Sequence, residues 1–231
     1  AVPANTELPE NDAEVAAAFA AGGPLSRLLP GYRERQQQVA MAQAVAHAIR
    51  TQGRLVAEAG TGTGKTFSYL VPALLHGGKV IVSTGTKTLQ AGALAVTGLA
   101  PLVRDALRSP VTIALLKGRA NYLCLHHLER TSREGRLPSR DDARHLVKIS
   151  SGAHATTRGD RAELGDVPEN ATIWPLVTST RDNCLGSNCA HFRECHVMLA
   201  RKEALDADIV VVNHHLFFAD VMLRDEGMAE L

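Results

Sequence analysis

The sequence predicts an α/β fold in which a parallel sheet with intervening helices is interrupted by a mostly helical insert. Three observations carry that expectation. Apolar runs of strand length recur at residues 55–57, 80–82, 111–116 and 209–212, with helical spacing between most of them. A glycine-rich stretch from Gly60 to Gly64 separates the first run from a helical segment, the order a phosphate site requires. From Asn121 to about Gly159 the strand runs cease and the sequence becomes charged and helical, before Ile209 starts another apolar run.

Taken in order, residues 1–12 are polar, contain proline and are expected to form a loose terminus. The Ala-rich segment 13–21 reads as a short surface helix. Glu10, Asp12 and Glu14 sit where a secretory leader would carry basic residues. Val39, Ala42, Val45, Ala46 and Ile49 have amphipathic spacing and predict a helix over residues 33–49, stopped by Gly53. Residues 55–57 predict a strand and 66–75 a helix. Pro72 is expected to kink or end that helix, because it removes a backbone donor and crowds the carbonyl four residues back. Residues 80–82 predict a second strand, Thr86 begins another helix, and residues 111–116 form a third apolar run. Residues 165–178 read as loop, and 209–212 return the chain to the sheet.

The chain has 231 residues, enough for one large domain or a domain carrying an insert. Its 45% hydrophobic and 21% charged residues are ordinary globular values. The formal net charge of +1 gives no global signature of nucleic-acid binding, so any electrostatic footprint must be a local patch. No segment approaches the run of about 20 apolar residues that spans a membrane, so a soluble, cytoplasmic protein without a membrane partner is expected.

Residues 59–66 read Ala-Gly-Thr-Gly-Thr-Gly-Lys-Thr, a Walker A loop with alanine in place of its first glycine. Its chemistry needs backbone N–H groups converging on phosphate oxygens. Gly60, Gly62 and Gly64 permit that by accepting positive φ and offering no Cβ. Lys65 is expected to pair with the β- and γ-phosphates of ATP, and Thr66 to hold Mg²⁺ at the helix start. Ala59, Thr61 and Thr63 complete the expected ATP-binding loop. The competing reading is a chance glycine turn. Arg35 and Gln38 could contact adenine, since an amide offers a donor and an acceptor, but taken alone they are ordinary surface residues.

Cys184, Cys189 and Cys195 are separated by four and five residues, and Cys124 lies 59 intervening residues upstream. An even cysteine count first suggests disulfides, but without a secretory signal a reducing compartment and ligation fit better. Structural zinc sites usually carry two close pairs, whereas four thiolates also suit a [4Fe–4S] cluster. His191 and His196 offer alternative nitrogen ligands. Spacing alone leaves cluster, zinc and buried thiols open.

The residues resemble the XPD/DinG superfamily of iron–sulfur helicases, and within it the bacterial YoaA-type branch. The carriers are Arg35 and Gln38; residues 58–66; Ser-Thr-Gly-Thr-Lys-Thr-Leu-Gln at 83–90; and Leu-Lys-Gly-Arg-Ala-Asn-Tyr-Leu-Cys at 116–124. Further on come Trp-Pro-Leu-Val-Thr-Ser-Thr at 174–180, the cysteine triplet, and Ala-Asp-Ile-Val-Val-Val-Asn-His-His-Leu at 207–216. The resemblance implies an incomplete P-loop, RecA-like motor domain with an inserted, mostly helical iron–sulfur cluster domain. It divides the chain into an extension (1–30), the first part of the motor domain (31–116), the cluster insert (117–204) and a return to the motor (205–231). It implies that Cys124, Cys184, Cys189 and Cys195 ligate a [4Fe–4S] cluster and that Gln38 reads adenine. Thr86 and Lys87 would meet the DNA backbone, although Ala91-Gly92-Ala93 depart from the usual pattern there. Arg119 would contact phosphate or hydrogen-bond near the cluster.

Membership further implies ATP-driven 5′ to 3′ movement on single-stranded or forked DNA in repair or replication, with replication or repair proteins as partners of the full protein. Such a motor needs a strand-end carboxylate for Mg²⁺ and a glutamate for the attacking water. The run at 209–212 ends instead in neutral Asn213, and Asp225-Glu226 follows Arg224. Nucleotide binding without turnover is therefore expected of this stretch alone. Two other readings are a non-catalytic iron–sulfur module that binds single-stranded DNA, and a P-loop protein with structural zinc. His214 and His215, adjacent on an expected strand, would face opposite ways and so not share one ion. The charges between Arg130 and Arg144 read as a solvated helical face, and Phe217 and Phe218 as core.

Overall fold

A computed structural model of the chain describes residues 10–60, 63–85, 98–165 and 167–225. The chain divides into two compact units, Ala1–Leu115 with Ala207–His214, and Leu116–Asp206 with His215–Leu231.

In the first unit, helices α1 (Glu10–Phe19), α2 (Pro24–Leu28), α3 (Gln36–Arg50) and α4 (Lys65–His76) precede strand β1 (Val80–Thr84). Helix α5 (Leu99–Ala106) and strand β2 (Ile113–Leu115) follow, and β3 (Ile209–Asn213) returns from far along the sequence. The sheet order is β1-β3-β2 and both pairings are parallel, with Val80 opposite Ile209 and Ile113 opposite the same residue. The α/β class with a parallel sheet is thus observed. Buried β-branched side chains put β3 in the middle: Ile209, Val211 and Val212 are almost wholly enclosed, while Ile81 on the edge strand is 50% exposed. The returning chain is held from both sides. Lys79 Nζ donates to Ala207 O at 2.6 Å, and Asp208 accepts from Thr112 N and Oγ1 at 2.8 and 2.7 Å. These hydrogen bonds, backbone first, hold the Asp208 carboxyl below its ordinary pKa.

Several expectations fail here for identifiable reasons. Residues 55–57 form no strand: they lie among exposed residues, Val56 fully so, and no described strand is hydrogen-bonded to them. Apolarity makes a segment strand-compatible, but only a neighbour satisfies its backbone. The Ala-rich segment is not a surface helix. Val15, Ala18 and Phe19 of α1 are buried with Leu25 of α2, Ala42 and Ala46 of α3, and Leu70 and Leu74 of α4. Pro72 does not end α4, which runs on to His76 and stops at Gly77 with φ +69°. The burial of Val71, Ala73 and Leu74 beside the proline outweighs the lost hydrogen bond. Helix α3 ends at Arg50, and the left-handed residue that stops it is Gln52 and not the expected Gly53. The Gly53 and Gln52 N–H groups return to Ala48 O and Ile49 O at 2.8 and 3.2 Å, the Schellman pattern. The helix expected from Thr86 lies outside the described residues.

In the second unit, helices α6 (Leu125–Glu134), α7 (Arg140–Ala153), α8 (Trp174–Val177) and α9 (His196–Asp206) are joined by loops and 3₁₀ turns. The loop expected at 165–178 thus contains one short helix. Leu123, Ile149, Leu164, Ile173, Trp174 and Val177 form its buried cluster. Tyr122 and Leu123 make antiparallel bridges to Asp160 and Thr178, which hold the segment before Cys124 extended. Around it Lys117 pairs with Asp160, and Arg161 sits 4.4 Å over the Trp174 ring while donating to Ala120 O and Glu169 O. Burial pushes the Tyr122 phenol up to about 12, against a lowering hydrogen bond from Lys117 N–H.

Asp142 departs from the expected solvated face. It is 1% exposed, takes hydrogen bonds from Ser139 Oγ at 2.7 Å and from Thr172 Oγ1 at 2.7 and 2.9 Å, and its N–H is capped by Ser139. This is a capping box whose acid also ties in Thr172. His214 and His215 do not lie on a strand, because α10 (His214–Asp225) starts at once after β3. Phe218 on α10 is 58% exposed and not part of either buried cluster. Apolar character alone does not bury a side chain on a helix face with no neighbour to cover it. No described helix is long and apolar enough to cross a membrane.

Candidate functional site

Two clusters of expected site residues stand at different places in the sequence, one in each unit. The first is the glycine loop before α4. Gly64 has φ +78° and ψ +31°, the left-handed conformation that turns the chain into the helix. A Cβ there would lie 2.1 Å from Gln38 Nε2, so any side chain would displace that amide as well as strain the backbone. Gln38, on the first turn of α3 and only 6% exposed, donates from Nε2 to Gly64 O at 3.0 Å. Its own carbonyl accepts from Ser68 Oγ of α4 at 3.1 Å, so α3 and α4 are tied by polar contacts around the loop. Arg35 is the residue before α3, and its carbonyl accepts from Gln38 N at 2.9 Å.

Lys65 opens α4, and its Nζ donates to Ala59 O at 2.5 Å, while Thr63 Oγ1 donates to Gly60 O at 2.9 Å. The lysine thus closes the loop on itself, and Thr66 follows on the first helical turn. An anion meeting this helix start finds free backbone N–H groups and a cation held one hydrogen bond away. Thr61, Gly62, Thr86 and Lys87 lie outside the described residues. A contact not expected from sequence stands at the carboxyl end of the sheet, where Ser83 Oγ and His214 Nδ1 are 2.7 Å apart.

The second cluster is the cysteine set. Cys124 is the N-cap residue of α6, Cys189 follows the 3₁₀ turn Gly186–Asn188, and Cys195 sits between the turn Phe192–Glu194 and α9. Cys124, Cys184, Cys189 and Cys195 are all free thiols, all half-buried, and all line one cavity. Disulfides are therefore not observed. Arg119 Nη1 donates to Cys184 Sγ at 3.4 Å and lines the same cavity. Burial raises the Cys124 thiol, and the charges of Cys195 and Cys189 add to the rise. Among the described residues, no group of three or more His, Cys, Asp or Glu side chains is placed to hold a single metal ion.

The two histidines offered by the sequence as alternative ligands do not line that cavity. His191 spends both ring nitrogens on carboxylates, Nδ1 to Glu194 at 2.8 Å and Nε2 to Glu129 of α6 at 3.0 Å, and these bonds raise its pKa, Glu194 first. His196 is buried and its ring lies where a Cβ on Gly159 would be. Sequence reasoning missed His127, which does line the cavity. It is 3% exposed, neither ring nitrogen has a hydrogen-bond partner, and burial lowers its pKa. The available signal was weak: a histidine three residues after a cysteine, at a spacing that shares a helix face.

No family model matches the chain. Among curated proteins it is 47% identical over 94% of its length to the ATP-dependent DNA helicase YoaA of Haemophilus influenzae. It is also 47% identical over 92% to that of Escherichia coli, and 37% over 87% to the ATP-dependent helicase DinG of Mycobacterium tuberculosis. The aligned part covers 34%, 33% and 33% of those proteins, so the chain spans about a third of their length.

Proposed function

The chain belongs to the YoaA/DinG family, and from that premise we propose that the protein acts as an ATP-dependent 5′ to 3′ DNA helicase of the iron–sulfur type. Its substrates are single-stranded or forked DNA and ATP with Mg²⁺, and its setting is repair or replication in the cytoplasm. The unit around the sheet is a RecA-like motor part carrying the P-loop. The unit from Leu116 to Asp206 is the cluster insert, with Cys124, Cys184, Cys189 and Cys195 as ligands.

The observation that carries this reading is the convergence of the remote Cys124 with the Cys184, Cys189 and Cys195 triplet on one cavity. Four free thiols around one cavity offer the all-sulfur donor set that such a cluster takes. When bound, a [4Fe–4S] cluster supplies a four-point staple and a one-electron redox centre. Arg119 donates to one ligand sulfur, and its positive charge offsets part of the charge of four thiolates.

At the loop, Lys65 exchanges the Ala59 carbonyl for the β- and γ-phosphates, and Thr66 offers its hydroxyl to Mg²⁺. Gln38 holds the Gly64 carbonyl, which fixes the turn, and keeps its own amide oxygen for the adenine edge. Thr86 and Lys87 remain the candidates for the DNA backbone. The chain alone binds nucleotide without turnover, since the strand-end carboxylate pair is not found in it.

The test is to purify the chain without oxygen and record its visible absorption, iron and sulfide content, then titrate a fluorescent ATP analogue against wild type and Lys65→Ala. Brown absorption that bleaches with dithionite, with nucleotide binding lost in Lys65→Ala, is the expected result. Stoichiometric zinc without colour would replace the cluster reading, and sustained Lys65-dependent hydrolysis would overturn binding without turnover.

A further inference from the structure

We infer that the His127 side chain is a hydrogen-bond donor to the iron–sulfur cluster and sets its reduction potential, an inference that rests on the cluster reading above. A buried imidazole with both nitrogens unsatisfied is costly, and native interiors rarely leave one without a purpose. His127 is in that state at 3% exposure, on the wall of the cavity that the four cysteines share. The missing partner therefore belongs in the cavity, and a cluster offers acceptors there in its sulfides and ligand thiolates.

The acceptor-only chemistry of a cluster fixes which way the imidazole works. The next ring is His126, edge-on with centroids 5.3 Å apart, which offers His127 a ring edge rather than a stacked face. Asn183 lies beside His127 and lines the same cavity. Its Oδ1 accepts from Thr180 N at 2.7 Å. A neutral imidazole carries one N–H, and because a cluster offers only acceptors, that N–H is the group that meets it. A donor to a cluster sulfur stabilises the more negative, reduced state and raises the potential.

His196 is the internal control. It too is buried with both nitrogens unpartnered, and it follows a cysteine directly, yet it does not line the cavity. Burial next to a ligand is therefore not enough to predict the effect; facing the cavity is what separates the two histidines.

The experiment uses the anaerobically prepared chain as wild type, His127→Leu, His127→Gln and His196→Gln. Iron content is measured, and the midpoint potential is followed by visible absorption in a dye-mediated titration. Loss of one charge-assisted donor is expected to make reduction about tenfold less favourable in His127→Leu, a shift of about 59 mV to lower potential for one electron. Glutamine, which keeps an N–H, recovers at least half of it, and His196→Gln stays at the wild-type value. Pulsed EPR of the reduced wild type with ¹⁵N-histidine should show a nitrogen coupling that survives in His196→Gln. This second measurement decides the matter if His127→Leu fails to assemble. A coloured wild type without that coupling, or a His127→Leu potential equal to wild type, overturns the role of His127 and leaves the cluster standing. A colourless, iron-free wild type overturns the cluster reading itself and the inference with it.

Discussion

The two units of this chain reach order by different means. Around the sheet, Phe19, Leu25, Leu70, Leu74 and Ile209 are fully enclosed, and helices and strands of ordinary length surround them. In the unit bearing the cysteines, the enclosed residues gather between α6, α7 and α8, while residues 179–195 run through turns whose large apolar Leu185 is 47% exposed. Apolar burial offsets the entropy of the first region, but the cysteine-bearing segment has little of it to offset its own. Such a segment needs cross-links, and a multi-thiol site supplies binding free energy as folding free energy.

The comparison breaks most sharply on the cysteines. With the proposed cluster in place, Cys189→Ser should abolish the visible absorption and strip amide protection from residues 184–195 and α9, with β1 and β3 unchanged by hydrogen exchange. Equal loss in both units would mean that they do not differ in this way. The reciprocal change is Phe19→Ala, which removes a fully buried ring from the first unit and should cost about 3–5 kcal/mol of its stability. Urea titration monitored by exchange in β3 checks this, and iron per chain should remain at the wild-type level.

A smaller effect tests the loop. In Gly64→Ala the added Cβ meets Gln38 Nε2, and alanine must also hold φ +78°. The Gln38 side chain has to leave the Gly64 carbonyl, so nucleotide affinity should fall about tenfold or more, roughly 1.4 kcal/mol, with iron content unaffected. Adding Gln38→Ala relieves the overlap but leaves the backbone strain and removes the proposed adenine contact, so the affinity should not return. Full recovery would assign the whole defect to crowding and take the adenine role away from Gln38.

The strands at Val80–Thr84 and Ile209–Asn213 were legible because β-branched runs bounded by turns have few other uses. Residues 55–57 have the same apolar character and form no strand, since pairing depends on a neighbour that a local pattern does not report. Helix α1 failed in the opposite sense: its alanines read as surface, and only the helices packed on Val15 and Phe19 make it core. At the candidate sites, the glycine loop and the four cysteines were visible in the letters, and the structure brings the cysteines to one cavity. Gln38 to Gly64, Ser83 to His214, and the orphaned ring of His127 were not visible in the letters, because each joins or isolates groups in a way that only the folded chain defines.

The least drastic probe is pH, and it reports each unit separately because the sole tryptophan, Trp174, is buried in the second. Asp142, beside it through Thr172, has its carboxyl held low by hydrogen bonds from Ser139 and then Thr172. A carboxyl whose folded-state pKa is depressed adds stability that is complete above the unfolded value, about 3.9, and fades as pH falls through the lower folded value. Asp142→Asn should therefore lower the urea midpoint of the Trp174 fluorescence transition near neutral pH, with the gap to wild type narrowing as the solution is made acidic. Asp208→Asn has the same sign, through the lost bonds from Thr112 at the start of β3. It should act on exchange in the sheet and leave the Trp174 transition where it was. Were Asp208→Asn to move the tryptophan signal as far as Asp142→Asn does, the two units would be unfolding as one, and the contrast between a burial-stabilised region and one proposed to be stabilised by a bound cluster would have to be given up.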